Sequence, residues 1–227
     1  MAAYGIDDWK RHWVEGDTPW SSSGDDSALP PFYQRLRTHI PSSHSARALV
    51  PLCGASTAVR YLYDQGHSVV GIDVIPQAIE TLIARSFPEL ALTERHDGSF
   101  RILSGPRLEL WIGDFFQMPD SAEKSDFIYD CASYVALSRS QLERYVPIIK
   151  RELRVGGIYA IVANEFSAED WKGPPYPFDR SEALSRFVEF EIIDETSAHI
   201  VRTEPKFVER GVSESTQHRI ALRKSRE

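Results

Sequence analysis

The chain contains 227 residues, of which 42% are hydrophobic and 26% are charged, and its formal net charge is -7. This composition is that of a globular protein, so a chain that is disordered as a whole is excluded. Its apolar runs fall short of the roughly 18 residues that cross a bilayer. We predict no contact with nucleic acid or membranes, because an acidic chain without a concentrated basic stretch attracts neither phosphate backbones nor anionic lipids.

The sequence predicts one domain over residues 1–227, since no internal repeat and no long linker divides it. Residues 1–13 lack the apolar core of a secretory signal, and two cysteines are too few for a disulfide scaffold. We therefore expect a cytoplasmic protein in a reducing compartment. The seven histidines form no cluster with metal-ligand spacing, so no metal site is predicted. A monomer is the expected oligomeric state.

Residues 1–45 are predicted to form an N-terminal arm that contains three of the five tryptophans. Trp9 and Trp13 are four residues apart and share one face of a predicted helix, and Trp20 follows them. Such large aromatic side chains need a surface on which to be buried. Two interpretations stay open at this point: an arm packed permanently on the core, and an aromatic lid that covers a ligand.

From residue 47 onward the chain alternates buried strands with amphipathic helices. The strands are apolar without strict alternation, which is typical of a parallel sheet covered by helices on both faces. The last two strands are predicted to form an antiparallel edge. The longest predicted helix starts at a capping box of Ser140 and Glu143 and ends before Gly156-Gly157. The predicted strands are 47–52, 68–73, 100–103, 107–112, 126–130, 158–163, 190–194 and 218–223, and the predicted helices are 56–65, one starting at Pro76, 140–154 and 181–187.

A sheet of this kind binds its ligand at the carboxyl ends of the strands, so the residues that follow each strand form the candidate site. Gly54 follows the first strand within Cys53-Gly54-Ala55, a turn of small residues that lacks the full G-x-G-x-x-G pattern. Asp73 ends the second strand about twenty residues later, where an acidic residue accepts hydrogen bonds from ribose hydroxyls. Together, the two positions predict a ligand with a nucleoside group.

Two further strand ends add acidic and aromatic side chains to this edge. Asp114 and Phe115 follow the strand 107–112. An acid beside an aromatic ring suits an adenine base, although Phe115 and Phe116 also have the character of core residues. Asp130 ends the strand 126–130 and is predicted to face the ligand crevice.

Several segments resemble the thiopurine S-methyltransferase family of class I S-adenosylmethionine-dependent methyltransferases, which includes halide and thiol methyltransferases. The resemblance covers nearly the whole chain, and its most specific parts are the P-L-C-G turn and the tryptophan arm. It implies a Rossmann-like α/β fold, a mostly parallel seven-stranded sheet, and S-adenosylmethionine as the cofactor. The matching segments are WKRHWVEGDTPW (9–20), VPLCG (50–54), GHSVVGID (66–73), GDFFQMP (113–119), YDCASYVAL (129–137) and GPPYPF (173–178).

The resemblance also implies where the cofactor is held. The arm covers S-adenosylmethionine, Leu52 and Gly54 approach its methionine portion, and Asp73 holds its ribose. Cys131 occupies a position that lines the cofactor pocket. The full set of predicted cofactor-binding residues is Trp9, Trp13, Trp20, Leu52, Gly54, Asp73, Asp114, Phe115, Asp130 and Cys131.

The predicted activity is methyl transfer to the sulfur of a small-molecule thiol by direct in-line displacement. A thiol with a pKa of about 8.5 is already partly thiolate at neutral pH, so it needs little help from a base. We therefore predict no catalytic acid or base, and we expect positioning to be the main contribution of the protein. The candidate acceptor-side residues are Tyr134, Trp171, Tyr176 and Arg210.

Alternatives stay open within the family and outside it. Cys131 stands where thiopurine enzymes carry an arginine, and Thr18-Pro19-Trp20 resembles the halide and thiol branch. In contrast, the GHSVVGID segment and the predicted turn at Ser104-Gly105-Pro106 resemble the thiopurine branch. Outside the family, the alternatives are a nicotinamide-dependent oxidoreductase and a non-catalytic nucleotide-binding protein of the same fold.

Overall fold

The computed structural model describes residues 4–18, 27–41, 45–168 and 171–226. Its strands are β1 (Arg47–Pro51), β2 (Ser68–Asp73), β3 (Thr93–Asp97), β4 (Phe100–Gly105), β5 (Leu108–Ile112), β6 (Ser125–Cys131), β7 (Leu153–Glu165), β8 (Phe190–Val201) and β9 (Glu214–Lys224). All of them join one sheet with the strand order β3-β4-β5-β2-β1-β6-β7-β9-β8.

The centre of the sheet is parallel, as predicted. Strands β5, β2, β1, β6 and β7 run in one direction, and β9 pairs antiparallel with both β7 and β8. The described residues contain nine strands, two more than the seven that the family resemblance implies, because β3 and β4 form an antiparallel extension beyond β5. The strand pattern of the sequence predicts eight of the nine, including β4. Strand β3 escapes prediction since its TERHD sequence is fully exposed and has no apolar pattern.

Helices cover both faces of this sheet and enclose two hydrophobic cores. Ala48 and Val50 of β1 enter one core, whereas Leu49 between them enters the other. This alternation explains why the central strands are apolar at every position. The helices are α1 (Ile6–Glu15), α2 (Leu29–Leu36), α3 (Ala58–Asp64), α4 (Pro76–Ser86), α5 (Ser133–Ala136), α6 (Arg139–Glu152), α7 (Arg180–Ser185) and α8 (Pro205–Val208).

Helix α6 forms where it is expected but is capped differently. Its N-cap is Ser138, whose backbone N–H donates to Oε1 of Gln141 at 2.9 Å. The capping box predicted at Ser140 and Glu143 is therefore wrong by two residues. The helix ends at Glu152 because the next residue already begins β7.

The carboxyl ends of the parallel strands lie along one edge of the sheet. Strands β7 and β8 are both antiparallel to β9, so they are parallel to each other and β8 also ends at this edge, at Val201. The segments that follow β1, β2, β5, β6, β7 and β8 therefore meet there. No helix within the described ranges is long and apolar enough to cross a membrane.

Candidate functional site

The turn after β1 brings bare backbone to the carboxyl edge. Leu52 and Gly54 have φ angles of +45° and +51°. A Cβ at Gly54 would lie 3.4 Å from Cζ2 of Trp13, an ordinary contact distance, so it is the positive φ that favours glycine here. The N–H of Gly54 donates to Oδ2 of Asp73 at 2.8 Å. The two residues predicted to form a nucleoside site are thus in direct contact.

Asp73 is a buried carboxylate with 8% of its surface exposed. Its Oδ1 accepts the N–H of Ile75 at 2.9 Å, and its Oδ2 accepts the N–H of Gly54. Burial raises the pKa of Asp73 to about 6, while the backbone donors at Ile75, Gly54 and Val74 oppose the rise. The two carboxylate oxygens offer about four acceptor positions, so the three backbone donors leave Asp73 the capacity to accept from a hydroxyl group.

Asp114 lies after β5, where it caps a short 3-10 turn by accepting the N–H of Phe116 at 3.0 Å. Phe115 is 1% exposed and packs against Tyr145, with ring centroids 5.2 Å apart. Its ring belongs to the core, so its position differs from the adenine contact predicted for it. Phe116 is the half-buried ring at this strand end, with the guanidinium of Arg144 4.3 Å from its centroid.

Asp130 also differs from its predicted position in the crevice, because it has no exposed surface. Its Oδ2 accepts the hydroxyl groups of Tyr145 and Tyr159 at 2.7 and 2.6 Å. Its Oδ1 accepts the N–H of Tyr134 at 3.0 Å. Burial raises the pKa of Asp130, and the tyrosine donors oppose that rise. The carboxylate holds the beginning of α5 in place from within the core.

The two cysteines lie at the ends of neighbouring strands: Cys53 follows β1 by two residues, and Cys131 is the last residue of β6, which pairs with β1. Cys53 is buried and Cys131 is partly exposed. Burial, with a further contribution from the charge of Asp73, raises the pKa of the Cys53 thiol well above its usual value. The hydroxyl of Ser133 donates to the C=O of Pro51 at 2.7 Å, which ties the turn after β6 to the end of β1.

The N-terminal arm packs on the residues at this edge. Trp9 and Trp13 on α1 are both half-buried, and Trp13 packs against the core beside the Gly54 turn. At the start of the arm, Nε2 of Gln141 donates a hydrogen bond to the C=O of Tyr4 at 3.2 Å. The arm thus extends from the start of α6 to the turn after β1. Trp20 lies outside the described residues.

The structure brings together two of the predicted acceptor-side residues, Trp171 and Arg210. The Trp171 ring stacks on Phe207 with centroids 4.9 Å apart, and the Arg210 guanidinium lies 5.1 Å from the indole centroid. Tyr176 is half-buried nearby in sequence, and its N–H donates to the C=O of Val135 at 2.6 Å. A backbone hydrogen bond therefore connects the segments that follow β6 and β7.

Tyr134, the fourth predicted acceptor-side residue, is a buried side chain. It is 5% exposed and packs edge-on against Phe178 with centroids 5.7 Å apart. Burial raises the pKa of its hydroxyl to about 12, so Tyr134 stays neutral near pH 7 and cannot serve as an anionic base.

The sequence did not point to three residues around Trp171, which together with it form an acceptor wall: Phe166, Lys206 and Phe207. Phe166 packs edge-on against Trp171 at 4.9 Å, and Nζ of Lys206 donates to the C=O of Pro174 at 2.6 Å. Burial lowers the pKa of Lys206. The short segment before the last strand has no periodic pattern, but its combination of aromatic and basic residues is a usable signal. Within the described ranges, no group of three or more His, Cys, Asp or Glu side chains is arranged to hold a metal ion.

Known proteins match the chain along most of its length. Residues 5–225 match the family model described as thiopurine S-methyltransferase. A thiopurine S-methyltransferase from Pseudomonas putida is 25% identical over 206 residues, which cover 90% of this chain and 93% of that protein. One from Legionella pneumophila is 32% identical over 179 residues and covers 78% of each chain.

Two solved structures share the fold at lower identity. The 1,6-didemethyltoxoflavin-N1-methyltransferase of Burkholderia thailandensis has a TM-score of 0.64 at 18% identity, covering 97% of this chain and 87% of its own. The N-methyltransferase NodS of Bradyrhizobium japonicum, solved with S-adenosylhomocysteine, has a TM-score of 0.63 at 15% identity, covering 94% and 97%. At these identities the likeness shows the fold alone.

Proposed function

The chain belongs to the thiopurine S-methyltransferase family, whose members are S-adenosylmethionine-dependent methyltransferases, and from that premise we propose that it methylates the sulfur of a small-molecule thiol. The observation that carries the proposal is the hydrogen bond from Gly54 to Asp73 at the carboxyl ends of β1 and β2, with the indole of Trp13 beside the Gly54 turn. This arrangement combines a buried carboxylate, a turn without a Cβ, and an aromatic arm beside them.

These residues fit S-adenosylmethionine, which when bound supplies an electrophilic methyl group on a sulfonium. The turn at Gly54 carries no Cβ, so a ligand can approach its backbone closely beside Trp13. Asp73 keeps acceptor capacity for a ribose hydroxyl, and Phe116 offers the partly exposed ring that Phe115 does not. The residues proposed to hold the cofactor are Trp9, Trp13, Leu52, Gly54, Asp73, Asp114, Phe116 and Cys131.

The proposed acceptor site needs positioning more than proton transfer. A thiol of ordinary pKa is already a few per cent thiolate at neutral pH, so no protein base has to remove its proton. Phe166, Trp171 and Phe207 form an aromatic wall that excludes water and orients a planar acceptor. The positive charge of Arg210 beside this wall favours the thiolate over the neutral thiol.

An oxidoreductase that binds a nicotinamide dinucleotide fits the residues less well. A pyrophosphate needs a glycine-rich turn at a helix N-terminus, and Cys53-Gly54-Ala55 supplies only one glycine. The indole of Trp13 also packs beside that turn. S-adenosylmethionine carries no phosphate, so neither feature counts against it.

The proposal is tested first by cofactor binding and then by turnover. S-adenosylhomocysteine is expected to raise the thermal unfolding temperature of the chain, and NADH is not. Turnover is then measured as S-adenosylhomocysteine release with a thiol, a thiopurine, iodide and thiocyanate as acceptors. Stabilisation by NADH alone would refute the cofactor assignment. Stabilisation by S-adenosylhomocysteine without turnover of any acceptor would indicate a non-catalytic binding protein, and turnover of iodide or thiocyanate alone would indicate a halide methyltransferase.

A further inference from the structure

Cations and aromatic rings form a stacked column in the acceptor wall. The guanidinium of Arg202 lies 4.5 Å from the centroid of Phe207, which stacks on Trp171 at an interplanar angle of 19°. The guanidinium of Arg210 lies 5.1 Å from the Trp171 centroid. Trp171 follows β7, whereas the other three residues follow β8, and both strands end at the carboxyl edge. The column therefore belongs to the edge at which the cofactor residues meet.

Arg202 carries a buried charge with a free hydrogen-bonding edge. Its side chain is 8% exposed, and its Nη1 donates to Oε1 of Glu204 at 3.0 Å. Its Nε and Nη2 are buried and have no hydrogen-bond partner within the part of the chain that the structure describes. Native proteins seldom leave buried donors unpaired, and unpaired donors of a charged group are the most costly. A ligand that pairs with these two atoms removes that cost.

The two free atoms define the chemistry of the ligand. Nε and Nη2 present two parallel N–H groups on one edge of the planar guanidinium, which matches the two oxygens of a carboxylate. A halide ion makes only a single point contact and has no second atom for the paired edge. The carboxylate of Glu204 beside Nη1 disfavours a dianionic phosphate more than a singly charged carboxylate. The rings of Phe207 and Trp171 favour a flat acceptor body.

We propose that Arg202 is a specificity-determining residue that binds the carboxylate of an aromatic thiol acceptor through Nε and Nη2. The inference rests on the proposed S-methylation, because it names the acceptor class of the same site. Lys206 and Arg210 add two positive charges beside Trp171, so the wall is positively charged in a chain whose net charge is -7. If Arg202 only stacks on Phe207, the preference for a carboxylate acceptor does not depend on the N–H groups at Nε and Nη2.

The test compares 4-mercaptobenzoate with 4-mercaptobenzamide, which has nearly the same shape and no charge. We expect the wild-type protein to favour the carboxylate by about ten- to a hundredfold in kcat/KM, mainly through KM. Arg202→Lys keeps the positive charge but loses the paired edge, so the preference is expected to fall by about tenfold or more. Comparing the ratio between variants cancels the difference in thiol reactivity between the two acceptors.

Lys172→Met tests the effect of charge alone, because it removes one positive charge from an exposed position in the segment that carries Trp171. It is expected to keep the wild-type preference. Unchanged affinity for S-adenosylhomocysteine shows that each variant is folded. A wild-type protein without preference, or an Arg202→Lys variant with full preference, overturns the proposal. If neither thiol is methylated, the proposed S-methylation of such thiols is refuted. The role of Arg202 is then decided by the affinity of the S-adenosylhomocysteine complex for the two compounds.

Discussion

Asp73 links cofactor affinity to pH. Burial raises the pKa of its carboxyl from 3.8 to about 6, and ribose hydroxyls donate to the ionised form. Below about pH 6, cofactor binding must therefore expel a proton from Asp73, and above that pH it does not. The pH dependence of folding stability that Asp73 contributes has the opposite sign to that of a salt-bridged carboxylate, whose pKa is lowered. The raised pKa stabilises the folded state at low pH, and this contribution is lost as the pH rises from about 4 through about 6.

The size of the binding effect follows from the pKa. If the bound state holds Asp73 fully ionised, affinity for S-adenosylhomocysteine is about tenfold lower at pH 5 than at pH 7, or about 1.4 kcal/mol. Isothermal titration calorimetry in two buffers of different ionisation enthalpy measures both the affinity and the proton released. Asp73→Asn has the same size but does not ionise. We expect it to bind about ten- to a hundredfold more weakly at pH 7 and to lose the pH dependence.

The matched control is Asp97→Asn, which removes a carboxylate from the exposed strand β3. It is expected to keep both the affinity and the pH dependence of the wild-type protein. A wild-type affinity that stays constant between about pH 5 and pH 7 would refute the link between Asp73 and the ribose. The same conclusion follows if Asp73→Asn retains the wild-type slope.

Four other predictions follow from the site. Gly54→Ala places a side chain at a positive φ and should destabilise the fold by about 1 kcal/mol or more in urea denaturation; an unchanged midpoint contradicts the turn geometry. Asp130→Asn should cost about 1–3 kcal/mol of stability and leave S-adenosylhomocysteine affinity unchanged, whereas a loss of affinity alone would restore its predicted cofactor role. Alkylation of Cys131, measured by mass spectrometry, should be slower when S-adenosylhomocysteine is bound. Equal alkylation rates with and without it would show that Cys131 does not line the cofactor pocket. Trypsin should cleave the arm after Lys10 or Arg11 more slowly with S-adenosylhomocysteine, and equal rates favour a permanently packed arm.

The parts that the sequence predicts well are the strand ends at the centre of the sheet. Strand β2 runs from Ser68 to Asp73 as predicted, because an apolar run that ends in an acid has few alternative structures. The turn at Gly54 is predictable for the same reason, since small residues directly follow the apolar strand β1. The proximity of these two strand ends then follows from the topology of a parallel sheet.

Predictions fail where a residue finds its partner far along the chain. Asp130 resembles a crevice residue in sequence, but Tyr145 and Tyr159 bury it with hydroxyl donors from α6 and β7. Phe115 and Phe116 are adjacent and equivalent in sequence, and only packing against Tyr145 decides which ring is buried. The free edge of Arg202 is likewise invisible in sequence, because it depends on the burial of two particular atoms, Nε and Nη2, rather than on a pattern.

The most direct test of the account is to identify the atom that receives the methyl group. The protein is incubated with methyl-labelled S-adenosylmethionine and, separately, with thiophenol, phenol and aniline, and the products are identified by mass spectrometry. If the protein is an S-methyltransferase, thiophenol gives labelled methyl phenyl sulfide, and the oxygen and nitrogen analogues give little or no product. Label found on oxygen or nitrogen but not on sulfur, from a protein that binds S-adenosylhomocysteine, would contradict S-methylation.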